Sequence, residues 1–214
     1  VNLWHERLNR SSGHVTPGSS RIYTVFIQNN PLYLRATMNH PLSRESVQEV
    51  PNALGMQGIE FVEFATDKPH ALGHILEMLG FSAVARHRSR EVVLYQLADM
   101  RVVVNAHADD ALVVASAQSG PVLSAVAFRV REAAAAYARS VSLGAWGVPS
   151  RAQAMELHIP AIQGPGGTRF YFVDRWRDFS IFDVDFVPIE SERHVAPQLS
   201  AMNFFGVVQY VGVN

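Results

Sequence analysis

The sequence predicts an α+β fold that contains one βαβββ unit twice. From Gly55 onward the residue patterns follow the order strand, helix and three strands, and the same order then recurs. Two landmarks repeat at a spacing of 64 residues: Phe64 and Phe128 end the first strand of each unit, and Leu-Gly pairs at 79–80 and 143–144 end the two helices. One offset shared by independent landmarks indicates an internal repeat.

In the first unit, residues 58–64 alternate acidic with β-branched or aromatic side chains, which predicts a strand with two chemically different faces. Thr66 or Asp67 is placed to cap the helix that follows. The apolar residues of that helix share one face, and Gly80 has the position of a left-handed C-terminal cap. Three short apolar segments complete the unit as strands, at 81–86, 91–97 and 101–105.

The second unit repeats this plan. A strand at 121–130 precedes an Ala-rich helix at 131–143, and Gly144 is the C-terminal cap of that helix. Later strands are predicted at 155–162, 169–173 and 180–188.

Residues 202–211 have the pattern of a third first strand, but the chain ends before a helix follows. Such a strand either adds to an existing sheet or belongs to a protein that continues. A short strand is also expected at 22–28, within the early part of the chain. Three parts are therefore predicted: an extension of unclear order at 1–52, a two-module domain at 53–190 with modules at 57–107 and 121–189, and a linker with the first strand of a truncated C-terminal domain at 191–214.

The composition excludes several classes of function. With 18 Lys and Arg against 19 Asp and Glu, the formal net charge is -1, which would not attract nucleic acid or an anionic membrane. The sequence has no apolar run long enough to span a membrane. The absence of cysteine excludes disulfides, thiol nucleophiles and iron–sulfur clusters, and it fits a reducing cytoplasm. Any metal would have to be bound by the nine histidines or by carboxylates.

Several clusters have the residue types of a functional site, but a structural role is favoured for each. His70 and His74 have the spacing of zinc ligands but lie beside the apolar helix face, so a solvated pair is expected. The basic cluster at 87–90 is expected to be a solvated patch rather than an anion site. His158 is expected to be a structural residue, and Gly164, Gly166 and Gly167 are expected to form a turn rather than a phosphate loop. Surface ion pairs are expected for Asp174 with Arg175 and Arg177, and near Asp183 and Asp185.

Eight short segments in one order resemble the N-terminal domain of bacterial 4-hydroxyphenylpyruvate dioxygenases, and together they cover about residues 55–190. The segments are 58–65, 80–81, 86–89, 93–95, 127–130, 155–162, 171–175 and 182–186. The resemblance implies the vicinal oxygen chelate fold, in which paired βαβββ modules form an open barrel.

The resemblance also implies an activity, that of an Fe(II)-dependent dioxygenase in the cytoplasm. The family converts 4-hydroxyphenylpyruvate, a small aromatic 2-oxo acid, and dioxygen to homogentisate and carbon dioxide in tyrosine catabolism. Its complete enzymes are expected to be homo-oligomers, and neither nucleic acid nor a membrane is an expected partner.

In that family the iron is bound by two His and one Glu of the C-terminal domain. Ala125 and Tyr171 occupy the places of a His and the Glu in the second module of this chain, and Asn203 falls at or near the first iron-binding His. The resemblance therefore implies no catalytic, cofactor-binding or metal-binding residue here. The chain is expected to bind no Fe(II) and to be inactive alone.

Two other interpretations stay open at this point. The first is a fragment of an enzyme similar to hydroxymandelate synthase, which resembles the dioxygenase and uses the same substrate. The second is a stand-alone ligand-binding protein of the glyoxalase and drug-resistance type, because two complete modules suffice to form a cavity.

Overall fold

The computed structural model describes residues 21–26, 51–107, 111–149, 157–176, 179–190 and 202–211. Most of the predicted extension, residues 1–20 and 27–50, lies outside the described residues, as does the predicted linker at 191–201. The strands are β1 Arg21–Phe26, β2 Met56–Ala65, β3 Ser82–His87, β4 Val92–Leu97, β5 Met100–Asn105, β6 Val122–Val130, β7 Ala161–Gln163, β8 Arg169–Val173, β9 Phe186–Pro188 and β10 Gly206–Val211. The helices are α1 Pro69–Met78, α2 Ala111–Ser119, α3 Ala133–Ser142 and α4 Phe182–Asp185.

Eight of these strands form one open sheet in the order β7-β8-β6-β2-β5-β4-β3-β9. The first strands of the two modules, β2 and β6, pair antiparallel at its centre. Each first strand also pairs in parallel with a later strand of its own module, β2 with β5 and β6 with β8. The predicted α+β fold with two βαβββ modules is therefore confirmed.

The two modules are not identical. The second strand of the second module is reduced to an isolated bridge between Gly147 and Ile162. The late strand β9 leaves its own module and pairs antiparallel with β3, from Ala85↔Pro188 to His87↔Phe186. The second module therefore contributes the last strand at the far edge of the first.

A β-bulge in each first strand supports the predicted repeat. On β2, Glu60 is the extra residue between the pairs Ile59↔Phe128 and Phe61↔Ala127. On β6, Ser124 is the extra residue opposite Glu63 and Phe64, and it lies 64 residues after Glu60. Both bulged residues are completely buried. The two bulges are therefore separated by the same 64 residues as the landmarks in the sequence, although no sequence pattern had predicted a bulge.

The two predicted helix caps are confirmed. Leu79 and Leu143 are the C-cap residues of α1 and α3, and the glycine after each has the same left-handed φ of 94°. A left-handed residue at this position satisfies free carbonyls of the last turn, and glycine adopts it without steric cost.

The start of α1 differs from the prediction. Lys68 is the N-cap residue and makes no side-chain cap, whereas Thr66 Oγ1 accepts a hydrogen bond from the Lys68 amide at 3.0 Å. Asp67 instead bonds to α2, a helix that the sequence patterns did not predict: its amide donates to Ser116 Oγ at 2.8 Å.

Two predicted strands were wrong in extent. Of the strand predicted at 155–162, only β7 Ala161–Gln163 forms among the described residues, and residues 155–156 lie outside them. The strand predicted at 180–188 is instead the short helix α4 followed by β9. The physical reason is a reciprocal cap: the Ser180 amide donates to Asp183 Oδ2 at 2.8 Å, and Ser180 Oγ accepts from the Phe182 amide at 3.3 Å.

The two outlying predicted strands pair with each other. β1 and β10 form a separate two-stranded antiparallel sheet, from Arg21↔Val211 to Phe26↔Gly206. The strand expected at the end of the chain is therefore paired, and its partner comes from the segment that had been predicted as an extension.

Each face of the large sheet has its own buried cluster. The helical face packs against α1 and α3, with residues such as Leu76, Ala136 and Phe128 in its core. We call the opposite side the inner face; its cluster consists of Phe61, Val92, Leu94, Val103, Ala127, Val173 and Ile181. In the described part of the chain, no helix has the length and hydropathy that crossing a membrane requires.

On the helical face, each module has a close contact between a tyrosine and a glycine. A Cβ atom on Gly73 of α1 would lie 2.2 Å from Tyr95 Oη of β4, and a Cβ on Gly147 would lie 2.2 Å from Tyr137 Oη of α3. Gly73 and Tyr137 are 64 residues apart. The glycine is on the helix in the first module, and the tyrosine is on the helix in the second.

We predict that Gly144→Ala lowers the free energy of unfolding by about 1–2 kcal/mol, because a side chain disfavours the left-handed backbone. A Cβ here would meet no atom within 4 Å, so the loss isolates the backbone effect. Urea denaturation measures it, and Gly144→Asn is the control, since Asn tolerates this conformation better. Equal stability of the parent and the alanine variant would contradict the prediction.

We also predict that Tyr95 makes stability depend on alkaline pH. Burial, and secondarily the negative charge of Glu77, raise the Tyr95 pKa above its ordinary value of 10.0. As pH rises, the Tyr95 hydroxyl therefore loses its proton in the unfolded chain before it does so in the folded chain. The contribution of neutral Tyr95 to the free energy of unfolding is complete below pH 10.0 and is lost as pH rises through the folded-state pKa. In urea denaturation above pH 10, Tyr95→Phe should lose stability less steeply than the parent, and parallel curves would refute this.

Candidate functional site

The inner face of the sheet carries two groups of buried and half-buried polar residues, one around Glu60 and one around Glu63. The bulge in β2 interrupts the alternation of the strand, so that Glu60 and Phe61 both contact groups on the inner face. Glu63, farther along β2, takes part in a second polar group. The sequence predicted a strand with acidic residues on one face, but it did not predict the hydrogen-bond partners of Glu60 and Glu63.

Glu60 is the centre of a buried ionic network. Arg101 of β5 donates from Nη1 to Glu60 Oε1 at 2.9 Å, and Arg129 of β6 donates from Nε to Glu60 Oε2. The carboxylate is completely buried, and the side chains of the two arginines are 19% and 15% exposed. Both carboxylate oxygens are therefore engaged, which makes Glu60 a structural anchor rather than a free acid or base.

Aromatic rings cover this network. The guanidinium carbon of Arg101 lies 5.8 Å from the ring centre of Phe182, and that of Arg129 lies 5.2 Å from Trp176. Phe182 also contacts Phe61, with ring centres 5.8 Å apart. The segment between β8 and β9 therefore closes over the charged groups by cation–π contact.

The second polar group lies around Glu63. Its Oε1 accepts hydrogen bonds from Asn105 Nδ2 at 3.1 Å and from Ser124 Oγ at 2.8 Å. Asn105 Oδ1 accepts from the His107 amide at 2.9 Å. This group joins β5, β2 and β6 beside the bulge at Ser124, so the bulge supplies a hydroxyl to a half-buried carboxylate.

The positions expected to match the iron ligands of the family do not fit iron. Ala125 is completely buried on β6 and offers a methyl group. Tyr171 on β8 lies opposite Ala127, 6.2 Å from the ring of Phe61, and its hydroxyl is 3.5 Å from Arg169 Nη1. Non-haem Fe(II) sites use imidazole and carboxylate ligands, and a methyl group and a phenol are neither.

Asn203 lies in a different part of the structure. It is exposed in the segment before β10, next to Met202, whose carbonyl oxygen is 3.4 Å from the Asp99 amide. Ala125 and Tyr171 lie within the eight-stranded sheet, whereas this segment leads into the separate two-stranded sheet. Within the described ranges, no group of three or more His, Asp or Glu side chains could hold a metal ion.

The histidines singled out in the sequence lie apart. His70 and His74 are exposed on α1, as the sequence predicted, and His158 is exposed in the segment before β7. His87 packs edge-on against Phe186, with ring centres 5.2 Å apart. The expectation of a merely solvated patch at 87–90 was incomplete, because Arg88 Nε donates to the Val184 carbonyl at 2.8 Å and thereby ties the β3–β4 turn to α4.

The acidic residues expected in surface ion pairs have partners in the backbone. Asp174 Oδ2 accepts from the Ala133 amide at 2.9 Å, at the start of α3, and Asp183 caps α4. A carboxylate at a helix start satisfies a free amide and the helix dipole, which explains these positions. Asp185 is 3.4 Å from the Leu157 amide, and Arg177 lies outside the described residues. The turn predicted at the glycines is confirmed, since the Gly164 amide donates to the Thr168 carbonyl at 2.7 Å.

A family model described as the N-terminal domain of hydroxyphenylpyruvate dioxygenase matches residues 50–187. The match begins before β2 and ends within β9, so it covers the whole eight-stranded sheet apart from the last residue of β9.

Individual relatives agree with this match. The 4-hydroxyphenylpyruvate dioxygenase of Pseudomonas sp. (strain P.J. 874) is 39% identical over 145 residues, which are 67% of this chain and 41% of that protein. The enzyme of the same name from Pseudomonas aeruginosa is 42% identical over 147 residues, with 66% and 41% covered. A solved xylose isomerase-like TIM barrel/4-hydroxyphenylpyruvate dioxygenase fusion protein is 30% identical, with a TM-score of 0.58 over 70% of this chain and 25% of that one. The chain therefore spans about two fifths of the length of these two curated relatives.

We predict that Glu60→Gln lowers the free energy of unfolding by about 3–5 kcal/mol, because it leaves two largely enclosed guanidinium groups without their buried counter-charge. The matched control is Glu91→Gln, an exposed glutamate at the start of β4, with an expected change under about 0.5 kcal/mol. Urea denaturation of both variants tests this, and similar losses in the two would show that Glu60 is not an anchor.

Proposed function

This chain belongs to the family of hydroxyphenylpyruvate dioxygenase N-terminal domains, and from this premise we propose that it is the non-catalytic N-terminal part of a 4-hydroxyphenylpyruvate dioxygenase. The complete enzyme would convert 4-hydroxyphenylpyruvate and dioxygen to homogentisate and carbon dioxide in tyrosine catabolism. The observation that carries the proposal is the family match over residues 50–187. Two Pseudomonas relatives with that enzyme name support it.

The assignment of a non-catalytic role rests on the chemistry of the inner face. The reaction needs Fe(II), and Ala125 and Tyr171 do not fit it. Asn203 would offer an amide, which is a much poorer ligand than imidazole. The iron and the catalytic residues would therefore belong to the C-terminal domain of the complete enzyme, and this chain would hold no cofactor.

The packing of the inner face also argues for a structural role. Phe182 contacts both Phe61 and Phe186, with ring centres 5.8 and 5.3 Å apart, and Ile181 is buried beside them. In a ligand-binding protein of this fold, the substrate would lie on the inner face. Here that face is covered by the chain's own side chains. This favours the dioxygenase N-terminal domain over a stand-alone ligand-binding protein.

In this proposal the aromatic 2-oxo acid binds to the complete enzyme, which acts as a homo-oligomer in the cytoplasm. The role of the present chain is to form a rigid sheet through Glu60 and its two arginines. No proton transfer or substrate contact is assigned to its residues.

We predict that the purified chain, supplied with Fe(II), ascorbate and 4-hydroxyphenylpyruvate, forms no homogentisate and consumes no dioxygen above a protein-free blank. The Pseudomonas aeruginosa relative, assayed in parallel, is the positive control. Turnover that follows the chain through purification would disprove the non-catalytic role.

A chimaera tests whether an inactive chain is nevertheless an N-terminal domain of this family. Residues 50–187 replace the matching segment of the Pseudomonas aeruginosa enzyme, and the product should retain turnover. The same chimaera with Glu60→Gln should lose folded protein and activity together, whereas Glu91→Gln should change neither. A folded but inactive parent chimaera would count against the proposed role.

A further inference from the structure

The chain around the start of β10 has two sides that differ in burial. Phe204 and Val207 pack against the buried cluster of the helical face. Phe205 and Val208 are 74% and 52% exposed. Successive side chains of a strand point to opposite faces, so Val207 and Val208 lie on opposite sides of β10. We call Phe204 and Val207 the packed pair and Phe205 and Val208 the exposed pair.

The first strands of the two modules are covered on both sides. On β2, Ile59 is buried in the cluster of the helical face and Phe61 in that of the inner face. On β6, Phe128 and Ala127 are divided between the two clusters in the same way. Residues 202–211 have the sequence pattern of a further first strand, yet the exposed pair leaves a phenylalanine and a valine open to solvent. A strand of this kind is therefore expected to carry a second core on its exposed side.

The position of β10 in the chain indicates which partner supplies that core. The family match ends at residue 187, so β10 lies beyond the N-terminal domain of the family. The chain spans about two fifths of the length of the two Pseudomonas relatives. In the complete enzyme of the proposed function, the C-terminal domain is tethered to this strand and has a high effective concentration beside it.

We propose that residues 204–208 are the joint between this domain and the C-terminal domain of the complete enzyme, with the packed pair in the core of the first and the exposed pair in the core of the second. This inference rests on the proposed function, from which it takes the partner. Burial of apolar side chains provides the attraction on each side. The pairing of β10 with β1 uses backbone groups at one edge of the strand, and Val208 is exposed in its presence.

The joint has a mechanical consequence. Neighbouring residues of one strand belong to two cores, so one domain cannot turn against the other without uncovering the packed pair or the exposed pair. The N-terminal domain thus holds the first strand of the C-terminal domain in a fixed position.

The first test uses the full chain alone. Phe205→Ser/Val208→Ser should change the midpoint of thermal unfolding by less than about 2 °C, because the exposed pair has no core to lose here. The matched control, Phe204→Ser/Val207→Ser, removes the same two residue types from the packed pair and should lower the midpoint by at least about 4 °C. Equal losses in the two variants would place both pairs in one core and overturn the proposal.

The second test adds the missing domain. A hybrid joins residues 50–211 to the C-terminal part of the Pseudomonas aeruginosa relative, in place of that enzyme's own sequence up to the same strand. In this hybrid Phe205→Ser/Val208→Ser should lower the unfolding midpoint of the C-terminal part by at least about 4 °C in calorimetry. Leu143→Ser, at a leucine that is 65% exposed on α3, is the control and should change neither protein.

Two results of the hybrid experiment overturn the joint. One is an exposed pair that can be replaced as harmlessly in the hybrid as in the chain alone. The other is a parent hybrid whose C-terminal part does not fold. Turnover by the 50–187 chimaera tests the proposed function separately, because that chimaera contains none of residues 204–208. An active chimaera with a harmless exposed pair overturns the joint alone, whereas a folded but inactive chimaera overturns both proposals.

Discussion

The eight-stranded sheet depends on one buried carboxylate that is shared by both modules. Glu60 lies on the first strand of the first module, Arg101 comes from the same module, and Arg129 comes from the other. A buried carboxylate is tolerable only when it is paired and fully hydrogen-bonded, so the β2–β6 register has to bring both guanidinium groups to it. The bulge at Glu60 makes this geometry available. Phe182 and Trp176 then cover the arginines, which links the segment after β8 to the same ionic centre.

The parts of the fold that could be predicted from the sequence are those that local patterns determine. The strand and helix order of the first module and the left-handed glycines depend on neighbouring residues, and the structure confirms them. The partners of Glu60 could not be found in this way, because they lie 41 and 69 residues away and nothing local distinguishes Arg101 or Arg129 from a surface arginine. Helix α4 was missed for another reason. The alternation of apolar and acidic residues at 180–188 predicted a strand, whereas the structure has a helix that begins after Ser180 with a hydrogen bond to Asp183.

The same contrast holds for the candidate site. The residue types at positions 125 and 171 predict poor iron ligands, Ala125 and Tyr171, but the sequence does not show which side chains fill the inner face. The structure shows an aromatic cluster around Phe61 and two hydrogen-bonded carboxylates, Glu60 and Glu63.

The tyrosine–glycine contacts on the helical face have an evolutionary consequence. In the first module the helix contributes Gly73 and the sheet contributes Tyr95; in the second the helix contributes Tyr137 and the facing residue is Gly147. If recombination placed the second helix on the first module, Tyr137 would face Tyr95 in a space that admits one phenol. The reverse exchange would leave two glycines and a void. The two modules therefore cannot exchange helices without loss of packing, although they share one plan.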